Sequence, residues 1–167
     1  MSNIRRRTQD VVTPLEKIAL LVFFLILCPF LLLLFAILLL LDGIWASCLY
    51  LAVWTLWLPR GQTILFVWSE SPVWKPYLEE KLLPQINNRA VILNWSERKR
   101  WRRLSLPVLV FRHFSGSKEY NPLAVVFTPF RRARVLRFYR PFRDFKHGHD
   151  EAVRKLTSEL LSSFAPR

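Results

Sequence analysis

The sequence is poor in cysteine, glycine, histidine and acidic residues. Its 167 residues include 2 Cys, 4 Gly and 3 His, and 25 Lys or Arg stand against 12 Asp or Glu. Both cysteines, Cys28 and Cys48, lie in the apolar N-terminal part, so the rest of the chain has no thiol for a disulfide, a cysteine-based zinc site or thiol catalysis. Four glycines leave no glycine-rich phosphate-binding loop. We therefore expect neither a bound metal nor another cofactor.

Charge is absent from almost all of one long segment. Residues 18–58 carry a single charge, Asp42, whereas residues 59–167 carry 21 Lys or Arg and 9 Asp or Glu. The first segment suits lipid, and the second suits a small water-soluble domain with one core. A net charge of +12 on that domain favours a negative partner: anionic lipid headgroups, nucleic acid or an acidic protein. Lipid is the simplest candidate, because the apolar segment would hold the domain beside a bilayer.

The uncharged segment consists of two apolar runs, 18–41 and 44–58, separated by Asp42-Gly43. At about 1.5 Å per residue, the first run is long enough to cross a hydrocarbon core of about 30 Å. Basic residues flank the segment on both sides, and positive flanks that stay in the cytoplasm require an even number of crossings. We therefore predict a transmembrane helical hairpin, and a single crossing or a re-entrant second segment is the alternative. The predicted divisions are a basic tail at 1–17, a hairpin at 18–58 with helices at about 18–40 and 44–59, and a cytoplasmic α/β domain at 60–167.

The residues after 60 alternate between strand-like and helix-like patterns. Thr13-Pro14 marks the start of the first membrane helix, Ser71-Pro72 the start of a helix to about residue 86, and Asp150 the start of an amphipathic helix. Ser96 would cap a short basic turn. Strands at 63–68 and 89–95, with the helix between them, predict a parallel βαβ unit. Ser105 and Pro107 open a predicted helix at 107–114, and an edge strand is the alternative there. The runs at 123–130 and 134–142 predict an antiparallel hairpin.

This order, β-α-β-α-β-β-α, resembles the thioredoxin fold over about residues 62–164. In that family a strand ends in Trp-Ala or Trp-Ser, and a Cys-x-x-Cys motif then opens a helix. Here Trp68-Ser69 ends the strand, and Ser71 and Trp74 stand where the cysteines would be. Pro122 would match the family's cis-proline. The resemblance implies the fold without its redox chemistry, because neither Ser71 nor Trp74 supplies a thiolate.

Basic residues interleaved with aromatic rings are the surface feature most indicative of binding. Such a mixture suits a lipid headgroup layer, where rings settle among headgroups and guanidinium groups bind phosphate, and it also suits single-stranded nucleic acid. The candidate binding residues are Arg98, Lys99, Arg100, Arg102 and Arg103 in a first basic group, and Arg131, Arg132, Arg134, Arg137, Arg140 and Arg143 in a second basic group.

These patterns favour a membrane-anchored, non-enzymatic binding or scaffold protein with both termini and the basic domain in the cytoplasm. Its expected partners are anionic lipids and another membrane protein. One alternative is an enzyme that holds an anionic substrate at the N-terminus of the helix opened by Pro72, with Ser69 and Ser71 as ligands. The other is a membrane-tethered nucleic-acid binder.

Overall fold

The computed structural model of the chain describes residues 14–116, 121–145 and 147–163. It divides into two compact units, and the boundary falls between Trp45 and Ala46. The first unit is part of a long helix, and the second is a small mixed α/β domain with a four-stranded sheet.

The first helix, α1, runs from Pro14 to Leu56 without interruption. Pro14 opens it as predicted, and Thr13, the predicted cap, lies outside the described residues. The predicted hairpin is wrong, because Asp42 and Gly43 are both helical. Each of these residues costs a helix only about 0.5–1 kcal/mol relative to Ala, too little to end a helix with good helix formers on both sides. The chain turns later, at Gly61, which has a φ of 72° and follows the 3-10 turn Leu58–Arg60.

In the first unit, α1 exposes its apolar side chains. Leu33 is 60% exposed, Leu40 65% and Ile44 53%. By length and composition, α1 with its 3-10 extension is the one helix among the described residues that is long and apolar enough to cross a membrane. The prediction that both termini lie on one side of the membrane depended on the two crossings of the hairpin. Without the hairpin, that prediction has no basis.

The domain's sheet has the strand order β2-β1-β3-β4. The strands are β1 (Ile64–Trp68), β2 (Ala90–Asn94), β3 (Leu123–Val126) and β4 (Arg134–Arg137). Strand β1 pairs in parallel with β2 and antiparallel with β3, and β3 pairs antiparallel with β4. The predicted βαβ unit and β3–β4 hairpin are both confirmed. The Asn121-Pro122 peptide bond, just before β3, is cis.

The helix between β1 and β2 begins later than predicted. It consists of α2 (Lys75–Tyr77), a π-helical segment (Leu78–Leu82) and α3 (Leu83–Ile86), whereas residues 72–74 form a turn. Pro84, the residue after Leu83, has no N–H and so donates no backbone hydrogen bond to the preceding turn. The N–H of Leu83 donates to the Leu78 carbonyl, five residues back, and this bond gives the segment its π-type spacing.

The remaining elements agree with the patterns in part. They are a 3-10 helix (Trp95–Arg100), α4 (Leu106–Phe114), α5 (Tyr139–Phe145) and α6 (Glu151–Ser162). The cap of the 3-10 helix is Asn94, whose side chain accepts from the Ser96 N–H, so Ser96 is not the cap. Asp150 stands at the N-cap position of α6 but pairs with Arg154 instead of capping. Helix α5 replaces the second half of a predicted strand, because the three rings Phe138, Phe142 and Phe145 have helical spacing.

Both faces of the sheet are covered, and α1 covers part of one. Alternate side chains of β1, Ile64 and Phe66, pack against the helices between β1 and β2 and against α5 and α6. On the other face, Leu65 and Val67 pack against α4 and the end of α1. This second core includes Leu49 and Val53 of α1 and Trp57, which directly follows α1; they are 3%, 1% and 4% exposed. The second unit therefore begins at Ala46, inside α1, whereas the predicted domain begins at residue 60.

Candidate functional site

The positions that match the redox site of thioredoxin-like proteins make structural contacts. The indole N–H of Trp74 donates to the Ser69 carbonyl at 2.9 Å, and the Trp74 ring lies 6.1 Å from that of Tyr139. The carbonyl of Ser71 accepts from the Lys75 N–H at 2.9 Å. The buried Pro122 accepts at its carbonyl from the Phe138 N–H at 2.9 Å. Trp74 and Pro122 thus both contact the segment that leads into α5.

The substrate site of the enzyme alternative is not formed as predicted. Pro72 lies in a turn, and the first helical residue is Lys75, whose amine lies 3.8 Å from the Glu79 carboxylate. The N–H of Lys75 already donates to the Ser71 carbonyl, so this first helical amide is not free to bind a substrate beside Ser71. Among the described residues, no group of three His, Cys, Asp or Glu side chains could hold a metal ion.

The first basic group lies on the 3-10 helix and the turn that follows it. The Arg98 guanidinium stacks 5.3 Å from the Trp95 ring, and the Trp95 and Trp101 rings meet edge to face at 5.6 Å. The Trp101 indole N–H donates to the Asn94 carbonyl at 3.1 Å, which fixes this group at the end of β2. A surface pocket of about 310 Å³ lies here. Its lining residues are Trp95, Arg98, Lys99, Trp101, Arg103, Val108, Phe111 and Arg112.

The second basic group does not form one surface. Arg134 pairs with Val126 and Arg137 with Leu123, so these two arginines lie at opposite ends of β4. Arg134 also forms an ion pair with Glu159, and Arg137 donates to the Ser115 carbonyl. Arg140 and Arg143 lie on α5, and Arg143 is 3.5 Å from the Asp144 carboxylate. Sequence proximity alone does not bring the group's six side chains together.

Arg131 and Arg132 lie in the turn between β3 and β4. We name residues 128–133 the Phe130 turn, because Phe130 is 90% exposed at its tip. Phe130 has a φ of 58°, and its ring lies 5.4 Å from that of Trp54 on α1. The N–H of Ala133 donates to the Tyr50 hydroxyl at 2.7 Å. The end of α1 therefore supports this turn directly.

The Phe130 turn and the end of α1 enclose a surface pocket of about 530 Å³. Its lining residues are Ser47, Tyr50, Leu51, Trp54, Phe130, Arg131 and Arg132, and none of them is acidic. The sequence patterns predicted that the two arginines bind a partner, but they placed Tyr50 and Trp54 in a membrane span. The spacing of Tyr50, Trp54 and Trp57 along one helix face is the signal that could have placed these rings in the domain.

The two arginine-rich sites lie at opposite ends of the sheet. The first basic group follows Asn94, which pairs with Trp68 at the end of β1. The Phe130 turn follows Val126, which pairs with Ile64 at the start of β1. The strands between them are five residues long, or about 17 Å at 3.3 Å per residue. A membrane surface that lies across one end of the strands would therefore contact one of these sites and not the other.

Comparison with known proteins gives no match: no family model, no curated protein and no solved structure is significantly similar to the chain.

Proposed function

We propose that this chain is a membrane-anchored, non-enzymatic binding or scaffold protein, whose basic α/β domain contacts the anionic headgroups of the bilayer that α1 crosses. One observation carries the proposal. The helix α1 exposes apolar side chains before Ala46, and after it carries side chains that are buried in the core of a strongly basic domain. A domain attached in this way stays beside the membrane surface, where each Lys or Arg gains about 1 kcal/mol from anionic lipid.

Charge and tethering together favour lipid over nucleic acid. Electrostatic attraction reaches about 10 Å at physiological salt, so the charges that act first are those nearest the domain. For a domain at the end of a membrane helix, those charges are headgroup phosphates. Stacking of bases on Trp95 and Trp101 would also suit the first basic group, so a nucleic-acid partner remains the second candidate.

We also propose that the domain is thioredoxin-like and redox-inactive. The support is the strand order β2-β1-β3-β4, with a parallel βαβ start and an antiparallel hairpin before the closing helix, which resembles the arrangement in that fold. Ser71 and Trp74 supply no thiolate, so the domain would act by binding alone.

We place the domain on the cytoplasmic side, where the inner leaflet is anionic and disulfides are rare, because the domain has one cysteine, the unpaired Cys48. One crossing then puts residues 1–17 on the other side. The arginines of that tail favour the reverse orientation under the positive-inside rule. Tags at the two termini and protease digestion of sealed membranes decide between the two, and a protected N-terminal tag with a cleaved domain supports our placement.

The lipid contact is tested on the full chain in nanodiscs. We expect amide hydrogen exchange in the domain to slow when neutral lipid is replaced by lipid with about one third anionic headgroups, and this protection to disappear at high salt. Equal exchange in both lipids would contradict the proposal. Salt-sensitive binding of a single-stranded oligonucleotide to the protein in neutral nanodiscs would favour the nucleic-acid candidate, and saturable capture of a phosphorylated metabolite would favour the enzyme.

A further inference from the structure

Two apolar side chains in the domain are exposed beside a pair of arginines. Phe130 precedes Arg131 and Arg132 and is 90% exposed, and Leu104 follows Arg102 and Arg103 and is 86% exposed. Full exposure of a large apolar side chain forgoes about 1.5–3 kcal/mol of burial. The two segments have nearly the same composition, so their surroundings distinguish them.

Phe130 is held outward by its own backbone and by α1. It is the one non-glycine residue in the described part of the chain with a positive φ, a conformation that costs a bulky side chain about 1 kcal/mol or more. The hydrogen bond from the Ala133 N–H to the Tyr50 hydroxyl and the bond from the Arg131 N–H to the Thr128 carbonyl close the turn on both sides of the ring. The exposure of the Phe130 side chain therefore follows from the defined conformation of this turn.

The turn also rests on the part of the domain that directly continues the apolar helix. Trp54, under the Phe130 ring, lies eight residues beyond Ala46, or about 12 Å along the helix axis. Leu51, which lines the same pocket, is 57% exposed. Aromatic rings with exposed apolar groups and arginines are typical of the headgroup zone of a bilayer, where the ring is partly dehydrated and the guanidinium groups bind phosphate.

We propose that the Phe130 turn is the domain's lipid contact: Phe130 inserts at the boundary between headgroups and acyl chains, and Arg131 and Arg132 bind anionic phospholipid phosphates. The proposal rests on the membrane-bound function above and assigns it to one surface. The pocket against α1 has no acidic lining residue, and Glu159, the acidic residue in the other pocket that Arg131 and Arg132 line, is paired with Arg134. The first basic group, at the other end of the sheet, faces water or a partner.

Spin labels at two matched positions test this assignment. In a full-length chain with Cys28 and Cys48 changed to Ser, a label is placed at F130C or at L104C, and the protein is reconstituted in nanodiscs with anionic lipid. We expect the label at position 130 to collide more with oxygen than with a water-soluble nickel complex, and the label at position 104 to show the reverse. Thermal unfolding of both labelled proteins confirms that the domain is intact.

Charge variants separate the proposed contact at the Phe130 turn from the broader proposal that the domain contacts anionic lipid. R131Q/R132Q should return the label at position 130 to the accessibility it has in water, whereas R102Q/R103Q, which removes the same charge, should leave it immersed. A water-exposed label at 130 in the parent chain would overturn the assignment. If the amide exchange of the domain is still slowed by anionic lipid in that case, lipid binding stands and the contact surface is another one. If that exchange is unchanged, both proposals fail.

Discussion

The two parts of α1 are similar in apolar content and opposite in surroundings. Before Ala46, large side chains such as Leu33 and Leu40 are more than half exposed in the described part of the chain. After it, Leu49 and Val53 are almost fully buried against the sheet. Apolar composition therefore does not distinguish an exposed helix segment from one that is buried in a core. Spacing does, because Leu49, Val53 and Trp57 repeat every four residues, while Leu51, Thr55 and Leu56 between them are exposed.

Removal of the part of the helix after Ala46 should have the largest effect on the stability of the domain. A fragment of residues 60–167 lacks Leu49, Val53 and Trp57, whose burial contributes about 1.5–3 kcal/mol each. Their sum, about 5–9 kcal/mol, approaches the whole stability of a typical domain, about 5–15 kcal/mol. We expect residues 46–167 to unfold cooperatively in a circular-dichroism melt and residues 60–167 to show no such transition. Equal melting of the two fragments would place the domain boundary back at residue 60.

A charge introduced into each part should produce opposite defects. Val53→Arg buries an unpaired cation in the second core and should unfold the domain, since such a charge costs several kcal/mol. Leu33→Arg should leave the domain folded and weaken membrane insertion by about 2.5–3.5 kcal/mol. Protease resistance of the domain and resistance of the chain to carbonate extraction measure the two effects. Loss of both properties in both variants would mean that the two parts of the helix do not have separate roles.

Two tryptophans, one inside α1 and one directly after its end, provide a finer comparison. Trp57 is 4% exposed and Trp45 is 47% exposed. We expect Trp57→Ala to lower the free energy of unfolding of the domain by about 3–5 kcal/mol, and Trp45→Ala to change it by no more than about 0.5 kcal/mol. Urea unfolding of the full chain in micelles, followed by near-ultraviolet circular dichroism, measures the difference. Similar losses for the two variants would count against a boundary at Ala46.

The smallest predicted effect concerns the bond between α1 and the Phe130 turn. Tyr50→Phe removes the acceptor for the Ala133 N–H and should cost about 0.5–1.5 kcal/mol. We expect faster hydrogen exchange at the Ala133 amide, by up to about tenfold. Tyr77→Phe is the control, because the Tyr77 hydroxyl bonds to Thr157 and does not contact the turn. An unchanged rate at Ala133 in Tyr50→Phe would show that α1 does not hold the turn.

Local patterns were sufficient for elements whose signal lies within their own residues. The continuous apolar run of β1 and the start signal Ser105 to Pro107 of α4 each predicted the correct element. The membership of Leu49, Val53 and Trp57 in the core was not predictable from hydropathy, because lipid and a protein core select the same residues. The contact between Trp54 and Phe130 joins residues 76 positions apart, and no local pattern indicates such a pair. The separation of the arginines into distant sites follows from strand register, which depends on the folded sheet.

The central claim, that the end of α1 belongs to the α/β domain, is tested most directly by a contact between two aromatic rings. The rings of Tyr50 on α1 and Phe114 on α4 lie edge to face with their centroids 5.0 Å apart. In the full chain reconstituted in nanodiscs, with only Tyr and Phe rings protonated, we expect a nuclear Overhauser effect between these two residues. Its absence, in a sample where the Tyr77 to Phe142 contact at 5.4 Å is observed, would contradict the claim.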